Sequence, residues 1–162
     1  MMDKEFMREQ LMQRIRASAQ VALREHEAAA IEAREGATPD EKRADARVAL
    51  EFSQLAEAQG RRAHAALDDL AVLEAFRPAA AGPRVTLGNI LEIEDGDEGR
   101  TLFLAPVGAG VDLTMPDGDG FVTVVTPASP LGKAVMGCKL GDTIEVAAAR
   151  GEPREWTVTF IA

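Results

Sequence analysis

Residues 126–146 read TPASPLGKAVMGCKLGDTIEV, and this stretch indicates a short helix that leads into a strand. Ser129 is a good N-cap residue, and Pro130 suits the first helical position, where its missing N–H costs nothing. Gly137 suits the exit from the helix, because glycine accepts a positive φ. The segment KLGDTIEV, residues 139–146, then predicts a turn followed by an alternating strand.

The order strand, short helix, turn, strand resembles the signature of the Gre transcription elongation factors, GreA and GreB, which carry it as SPxxxAxxGxxxGD. The places of that signature are filled here by Ser129, Pro130, Ala134, Gly137, Gly141 and Asp142. In that family a long helical hairpin precedes a small β-rich domain, and the same order of parts is indicated here. The resemblance implies an FKBP-like fold for the C-terminal part.

The N-terminal part predicts two long helices that are antiparallel neighbours, because the connection between them is short. No proline interrupts Asp3 to Gly36. Thr38-Pro39-Asp40-Glu41 predicts the start of the second helix as a capping box. The expected seam of helix 1 is Met12, Ile15, Ala19, Ala22, His26, Ala29 and Ala33. The expected seam of helix 2 is Val48, Phe52, Leu55, Gln59, Ala63, Ala66, Leu70 and Leu73, with a stutter after Leu55.

After a proline- and glycine-containing stretch at residues 77–83, the hydrophobic period changes to two. Strands are predicted at residues 89–94, 100–107, 121–125, 143–147 and 155–160, and they indicate a small antiparallel sheet with one short helix. We therefore predict an α+β chain with three parts. These are a coiled-coil hairpin (1–76), a linker (77–83) and an FKBP-like C-terminal domain (84–162).

Composition limits the function classes. The chain has 162 residues, is 46% hydrophobic and carries a formal charge of −9, so it can form a core and is unsuited to broad, independent DNA binding. Cys138 is the only cysteine, which excludes an intrachain disulfide, fits a reducing cytoplasm and favours a packing role. The N-terminus MMDKEF does not predict a signal peptide, and no apolar run predicts a membrane span.

The hairpin tip is the first candidate site. The resemblance implies that the tip enters the secondary channel of RNA polymerase, where two acids of a GDLKEN motif help to hold a catalytic Mg²⁺ and promote cleavage of backtracked RNA. Here EAREGATPDEKRAD, residues 32–45, stands where the family has EAREHGDLKENAE. Asp40 is the counterpart of the motif's Asp, Arg43 takes the place of the second acid, and Glu41 and Asp45 are the nearby replacements.

Two interpretations of the tip acids stay open. Asp40 and Glu41 cap helix 2 and favour its dipole in the first. In the second, Asp40 with Glu41 or Asp45 helps to hold an Mg²⁺ shared with RNA polymerase, a hard cation that prefers carboxylate oxygens, and the free protein binds no cofactor. Arg34 corresponds to a family arginine near the RNA 3′ end, although an exposed helical arginine often pairs only with a neighbouring acid.

Residues Ser129, Pro130 and Leu131 form the second candidate site. The resemblance implies that this region docks on a coiled coil at the rim of the polymerase channel. The alternative is that Ser129 only caps the short helix and Leu131 only packs in the core. The two roles can coexist.

The resemblance therefore implies a cytoplasmic factor that binds RNA polymerase, inserts its hairpin into the secondary channel and modulates elongation, without being an enzyme itself. Stimulation of RNA cleavage and channel occupancy without cleavage are both open. A prolyl isomerase is a second class, but only Phe103, Phe121, Trp156 and Phe160 offer aromatic lining in the C-terminal half. A coiled-coil scaffold would need an apolar tip, which ATPDEKRAD is not.

Overall fold

A computed structural model describes residues 3–35, 46–147 and 151–162. The elements are α1 (Lys4–Glu35), α2 (Ala46–Ala75), β1 (Ile90–Glu94), β2 (Gly99–Leu104), β3 (Asp112–Thr114), β4 (Phe121–Val125), α3 (Pro130–Val135), β5 (Thr143–Val146) and β6 (Arg154–Ile161). Two long helices followed by a sheet with one short helix confirm the predicted α+β class. The chain divides into two compact units, Met1–Met12 with Val72–Ala162, and Gln13–Ala71.

Helix α1 begins and packs as its sequence predicts. The Asp3 carboxylate accepts the backbone N–H groups of Glu5 and Phe6 at 3.0 and 3.1 Å, which makes Asp3 the N-cap. The predicted seam is confirmed, since each of its members is buried or half-buried: Met12, Ile15, Ala19, Ala22, His26, Ala29 and Ala33. The predicted end at Gly36 and the predicted start of the second helix at residues 38–41 lie outside the described residues.

The predicted seam of α2 is wrong in its first half. Val48 and Leu55 are both 45% exposed, whereas Ala56 is 7% exposed. The residues turned inward alternate by three and four without a stutter: Ala49, Phe52, Ala56, Gln59, Ala63, Ala66, Leu70 and Leu73. Leu55 and Ala56 are neighbours, so only one of them can face the partner helix. The inward position is taken by Ala56, whose backbone oxygen lies 2.6 Å from the ring of His26 on α1.

A histidine and a glycine meet where the two helices cross in the Gln13–Ala71 unit. The Nδ1 atom of His26 lies 2.6 Å from the backbone oxygen of Ala56. A Cβ atom on Gly60 would lie 3.3 Å from that same ring nitrogen, so the missing side chain leaves the space that the imidazole uses. At this point the large side chain of His26 on α1 is accommodated by the small residues Ala56 and Gly60 on α2.

The six strands form one mixed sheet in the order β3-β4-β2-β1-β6-β5. Its neighbours are antiparallel except β2 and β4, which run parallel, and this corrects the predicted all-antiparallel sheet. The connection between β2 and β4 is long enough to return the chain to the same end of the sheet. It contains β3, which was not predicted because three residues between glycines and Pro116 are too short for a recognisable strand pattern. The strand predicted at 100–107 ends earlier, at Leu104.

Both faces of the sheet carry buried side chains. On one face the core cluster contains Val85, Leu91, Ile93, Leu102, Leu104, Val125, Val135, Ile144, Trp156 and Val158. Ile90 and Phe103 are cross-strand partners that alternate with these residues and are fully buried on the other face. Strands β1 and β2 therefore carry apolar residues on both faces, as is expected of central strands that are covered on both sides.

The first turns of α1 pack within the same unit as the sheet. The side-chain amide of Gln10 accepts the backbone N–H of Thr114 at 2.7 Å and donates to its backbone oxygen at 3.2 Å, so it pairs with edge strand β3 as a peptide group would. A Cβ atom on Gly108 would lie 2.8 Å from Leu11, which is fully buried. Arg8 donates to the backbone oxygen of Leu73 at 3.0 Å.

The segment between β4 and β5 crosses the sheet, because these strands are separated by β2, β1 and β6. Its first turn is very tight. A Cβ atom on Gly132 would lie 1.8 Å from the backbone oxygen of Thr126 and 2.9 Å from the Ser129 hydroxyl oxygen. Only glycine fits this place, where α3 begins directly against the end of β4.

We expect Ala56→Leu to destabilise the helical pair by about 1–3 kcal/mol, because it overpacks a close contact. Leu55→Ala should cost less than about 1 kcal/mol, since Leu55 is largely exposed and the two residues have similar helix propensities. Urea unfolding followed by far-ultraviolet circular dichroism measures both. A larger loss for Leu55→Ala than for Ala56→Leu would contradict the observed seam.

We expect Gly132→Ala to destabilise the C-terminal part by about 3 kcal/mol, because the new methyl group collides with backbone atoms. Gly82→Ala is the matched control, since no atom lies within 4 Å of the added Cβ there. Fluorescence of Trp156, the only tryptophan and a member of the core cluster, reports the unfolding midpoint. Equal midpoints for the two variants would show that the turn tolerates a side chain.

Candidate functional site

The signature segment is built around the hydroxyl group of Ser129. That group donates to the backbone oxygen of Thr126 at 2.8 Å and accepts the N–H groups of Gly132 at 3.2 Å and Thr126 at 3.1 Å. Ser129 is therefore the N-cap of α3, with Pro130 at the first helical position, as the sequence predicts. Its hydroxyl is used within the fold.

The later signature residues also hold the fold together. Gly137 has φ +79°, and its N–H donates to the backbone oxygen of Val85 at 2.9 Å. Gly141 has φ +85° and donates to Val158, while the Asp142 carboxylate accepts the N–H of Lys139 at 2.8 Å. Positive φ explains why glycine stands at both places. The signature therefore describes how the crossing segment is pinned to the sheet.

The three residues predicted to dock on polymerase differ in exposure. Pro130 is exposed, Ser129 is half-buried, and Leu131 is half-buried because it packs against the core cluster. Leu140 and Met136, which were not among the predicted contact residues, are 64% and 38% exposed. The sequence signal for a contact surface was Leu140 itself, because a glycine-containing turn seldom needs a large apolar side chain. Pro130, Met136 and Leu140 are exposed residues of this segment that can contact a partner.

The tip acids Asp40, Glu41 and Asp45 lie outside the described residues, so their candidate roles stay predictions. Arg34 lies in the last turn of α1 and is exposed. A cation there is favourable for the helix dipole, which is a local reason for an arginine at this position. Its predicted proximity to the RNA 3′ end remains a prediction.

The Cys138 side chain lies in an apolar setting. Its sulfur is 3.3 Å from the backbone oxygen of Ala134, and the residue packs against the core cluster. Burial, together with the negative charge of Asp142, raises the pKa of the Cys138 thiol above its ordinary value. The thiol is therefore protonated at neutral pH, which agrees with a packing role and does not favour nucleophilic chemistry.

The charges at the β1–β2 turn serve the structure. Backbone N–H groups of Glu98 and Asp97 donate to the Asp95 carboxylate at 2.8 and 3.1 Å, and the bond from Glu98 is the main cause that lowers the pKa of Asp95. Arg154 contacts Glu98 at 2.7 Å, which ties β6 to this turn. These contacts stabilise the turn and its connection to β6.

The aromatic residues do not form an open isomerase pocket. Trp156 is 3% exposed, and Phe103 is fully buried. Phe121 is 72% exposed, so it encloses nothing. An isomerase needs a concave site lined by such rings, and these positions weigh against the prolyl isomerase alternative.

Two further observations concern only the described parts of the chain, residues 3–35, 46–147 and 151–162. They contain no group of three histidine, cysteine, aspartate or glutamate side chains arranged to hold a metal ion. They also contain no helix that is both long enough and apolar enough to span a membrane.

Comparison with known proteins identifies the family of the C-terminal part. Residues 80–162, just over half of the chain, match the family model described as "Transcription elongation factor, GreA/GreB, C-term". Comparison with curated protein sequences returns no match.

Solved structures similar to this chain include two Gre-related factors. GreA factor homolog 1 (Gfh1) of Thermus thermophilus has 19% identity and a TM-score of 0.38, with 96% of this chain and 94% of that chain covered. The GreA/GreB elongation factor of Nitrosomonas europaea has 22% identity and a TM-score of 0.38, with 59% of this chain and 78% of that chain covered. On the strength of the family model, which spans the whole crossing segment and the sheet, the chain belongs to the GreA/GreB family of transcription elongation factors.

Proposed function

We propose that this protein binds RNA polymerase through its C-terminal part, inserts its helical hairpin into the secondary channel and thereby modulates elongation. The family match over residues 80–162 carries this proposal. The paired helices α1 and α2 support it, because helices of 32 and 30 residues, at about 1.5 Å per residue, are long enough to enter a deep channel. The protein acts here on the polymerase's own chemistry and needs no catalytic group of its own.

Two modes of action differ in what the tip supplies. For cleavage stimulation, Asp40 with Glu41 or Asp45 would contribute carboxylate oxygens to an Mg²⁺ shared with the polymerase, and the cation would polarise the attacking water. The carboxylate chemistry fits a hard cation. Arg34, exposed at the end of α1, would lie near the RNA 3′ end.

For channel occupancy without cleavage, the hairpin needs only its length and shape. The presence of Arg43 where the family motif has its second acid supports this mode. The two modes share the same docking step, so they are separated only by an assay of RNA cleavage.

We expect the full chain to bind purified bacterial RNA polymerase at micromolar concentration and to compete with an authentic Gre factor. Pro130→Asp should weaken binding by about tenfold, because it changes an exposed docking residue while an acid in the first helical turn suits α3. Pro153→Asp, at another exposed proline, is the matched control. Absence of binding by the wild type would refute the proposed partner.

We expect Asp40→Asn to reduce cleavage of backtracked RNA by about tenfold or more if the tip holds Mg²⁺, with unchanged folding and polymerase affinity. Asparagine caps about as well as aspartate, so a capping role alone predicts a smaller effect. Glu41→Gln is the companion variant, since glutamine also completes a capping box. If the wild type adds no cleavage to that of polymerase alone, the occupancy mode holds and the metal role is refuted.

A further inference from the structure

The Gln13–Ala71 unit has an open groove on one side of the helical pair, which we call the hairpin groove. Its volume is about 700 Å³. Apolar side chains of both helices line it, among them Ala28 and Ile31 of α1 and Phe52 and Leu55 of α2. Glu25 and Glu32 of α1 also line the groove.

Two apolar side chains of the hairpin groove, Ile31 and Leu55, lie outside the seam that joins the two helices. Ile31 is 51% exposed and Leu55 is 45% exposed, while the adjacent seam is closed by Ala29 and Ala56, which are 3% and 7% exposed. A large apolar side chain that stays exposed gains no hydrophobic free energy on folding. Flank positions of a coiled coil are therefore usually polar. The hairpin groove therefore presents apolar area that the isolated chain leaves uncovered.

The charges of the hairpin groove indicate the kind of occupant. Glu25 and Glu32 are seven residues apart, so they lie on the same side of α1, two turns from each other. Among the described residues, no lysine or arginine contributes to the lining. Phosphate groups would be repelled, and a second copy bound through the same groove would bring two more carboxylates to the contact. A protein segment with apolar side chains and flanking cations is complementary in both respects.

We propose that the hairpin groove binds a basic amphipathic protein segment, with apolar side chains against Ile31, Phe52 and Leu55 and a lysine or arginine beside Glu25 and Glu32. RNA polymerase supplies this segment, and that part rests on the function proposed above. The recognition is helix-in-groove, in which apolar anchors provide affinity and rim charges provide orientation.

The first experiment tests the groove without polymerase. A fluorescein-labelled peptide LKKLLKLLKKLLKL, which has leucine on one helical face and lysine on the other, is titrated with the full chain at low salt, and its anisotropy is measured. Leu55→Gln and Glu32→Gln should each weaken binding by about fivefold or more. Leu67→Gln and Glu27→Gln are the matched controls, since Leu67 is 50% exposed and Glu27 is exposed, and neither lines the groove.

Each outcome of the titration decides the proposal. Saturable binding that only the two groove variants weaken supports it. Equal losses in the control variants would show non-specific attraction to an acidic protein and overturn it, as would the absence of saturable binding by the wild type. Self-association of the wild type that Leu55→Gln abolishes in sedimentation would identify a second copy as the occupant, which also overturns the proposal.

The second experiment measures the affinity of the same four variants for purified RNA polymerase. Weaker binding by Leu55→Gln and Glu32→Gln, with both controls within about twofold of the wild type, supports polymerase as the source of the segment. Unchanged binding by the groove variants refutes that source while the proposed function stands. If the wild type does not bind polymerase but does bind the peptide through the groove, the proposed function fails and the specificity for a basic segment is upheld.

Discussion

The C-terminal part depends on one close contact, between the backbone oxygen of Thr126 and the Cα of Gly132. This contact lets α3 begin directly at the end of β4, so the chain can cross the sheet in a short distance and reach the far edge strand β5. Along the way α3 places Val135 in the core cluster, and the residues after α3 bond to Val85 through two backbone hydrogen bonds of 2.8 and 2.9 Å. A side chain at position 132 would move α3 away from the apolar face that it covers.

The family signature is explained by this crossing rather than by chemistry at an active site. Ser129 caps, Pro130 starts the helix, Gly137 and Gly141 take positive φ, and Asp142 holds the last turn. A match to such a signature is strong information about fold and family membership, because each residue type answers a backbone requirement. It is weak information about the tip, which belongs to a different unit and follows different constraints.

The helical pair shows how packing selects between neighbouring residues. The inward position goes to Ala56, whose backbone oxygen lies 2.6 Å from the His26 ring, and not to the adjacent Leu55. The larger Leu55 is then left on the flank, next to Ile31 and the two glutamates of the hairpin groove. The burial of Ala56 in the seam and the exposure of Leu55 on the flank therefore go together.

The sequence by itself determined the two long helices, the seam of α1, the cap of α3, the turns at Gly137 and Gly141, and five of the six strands. These features arise from local backbone preferences and from periodicity, which neighbours along the chain specify. Only the tertiary structure decided the parallel pairing of β2 with β4, the short strand β3, the burial of Ala56 instead of Leu55, and the steric requirement for Gly132. Each of these depends on the distance between segments that are remote in sequence or on opposite sides of a tight turn. A hydrophobic pattern shows which residues can be buried, but the approach of the opposing backbone decides which of them are.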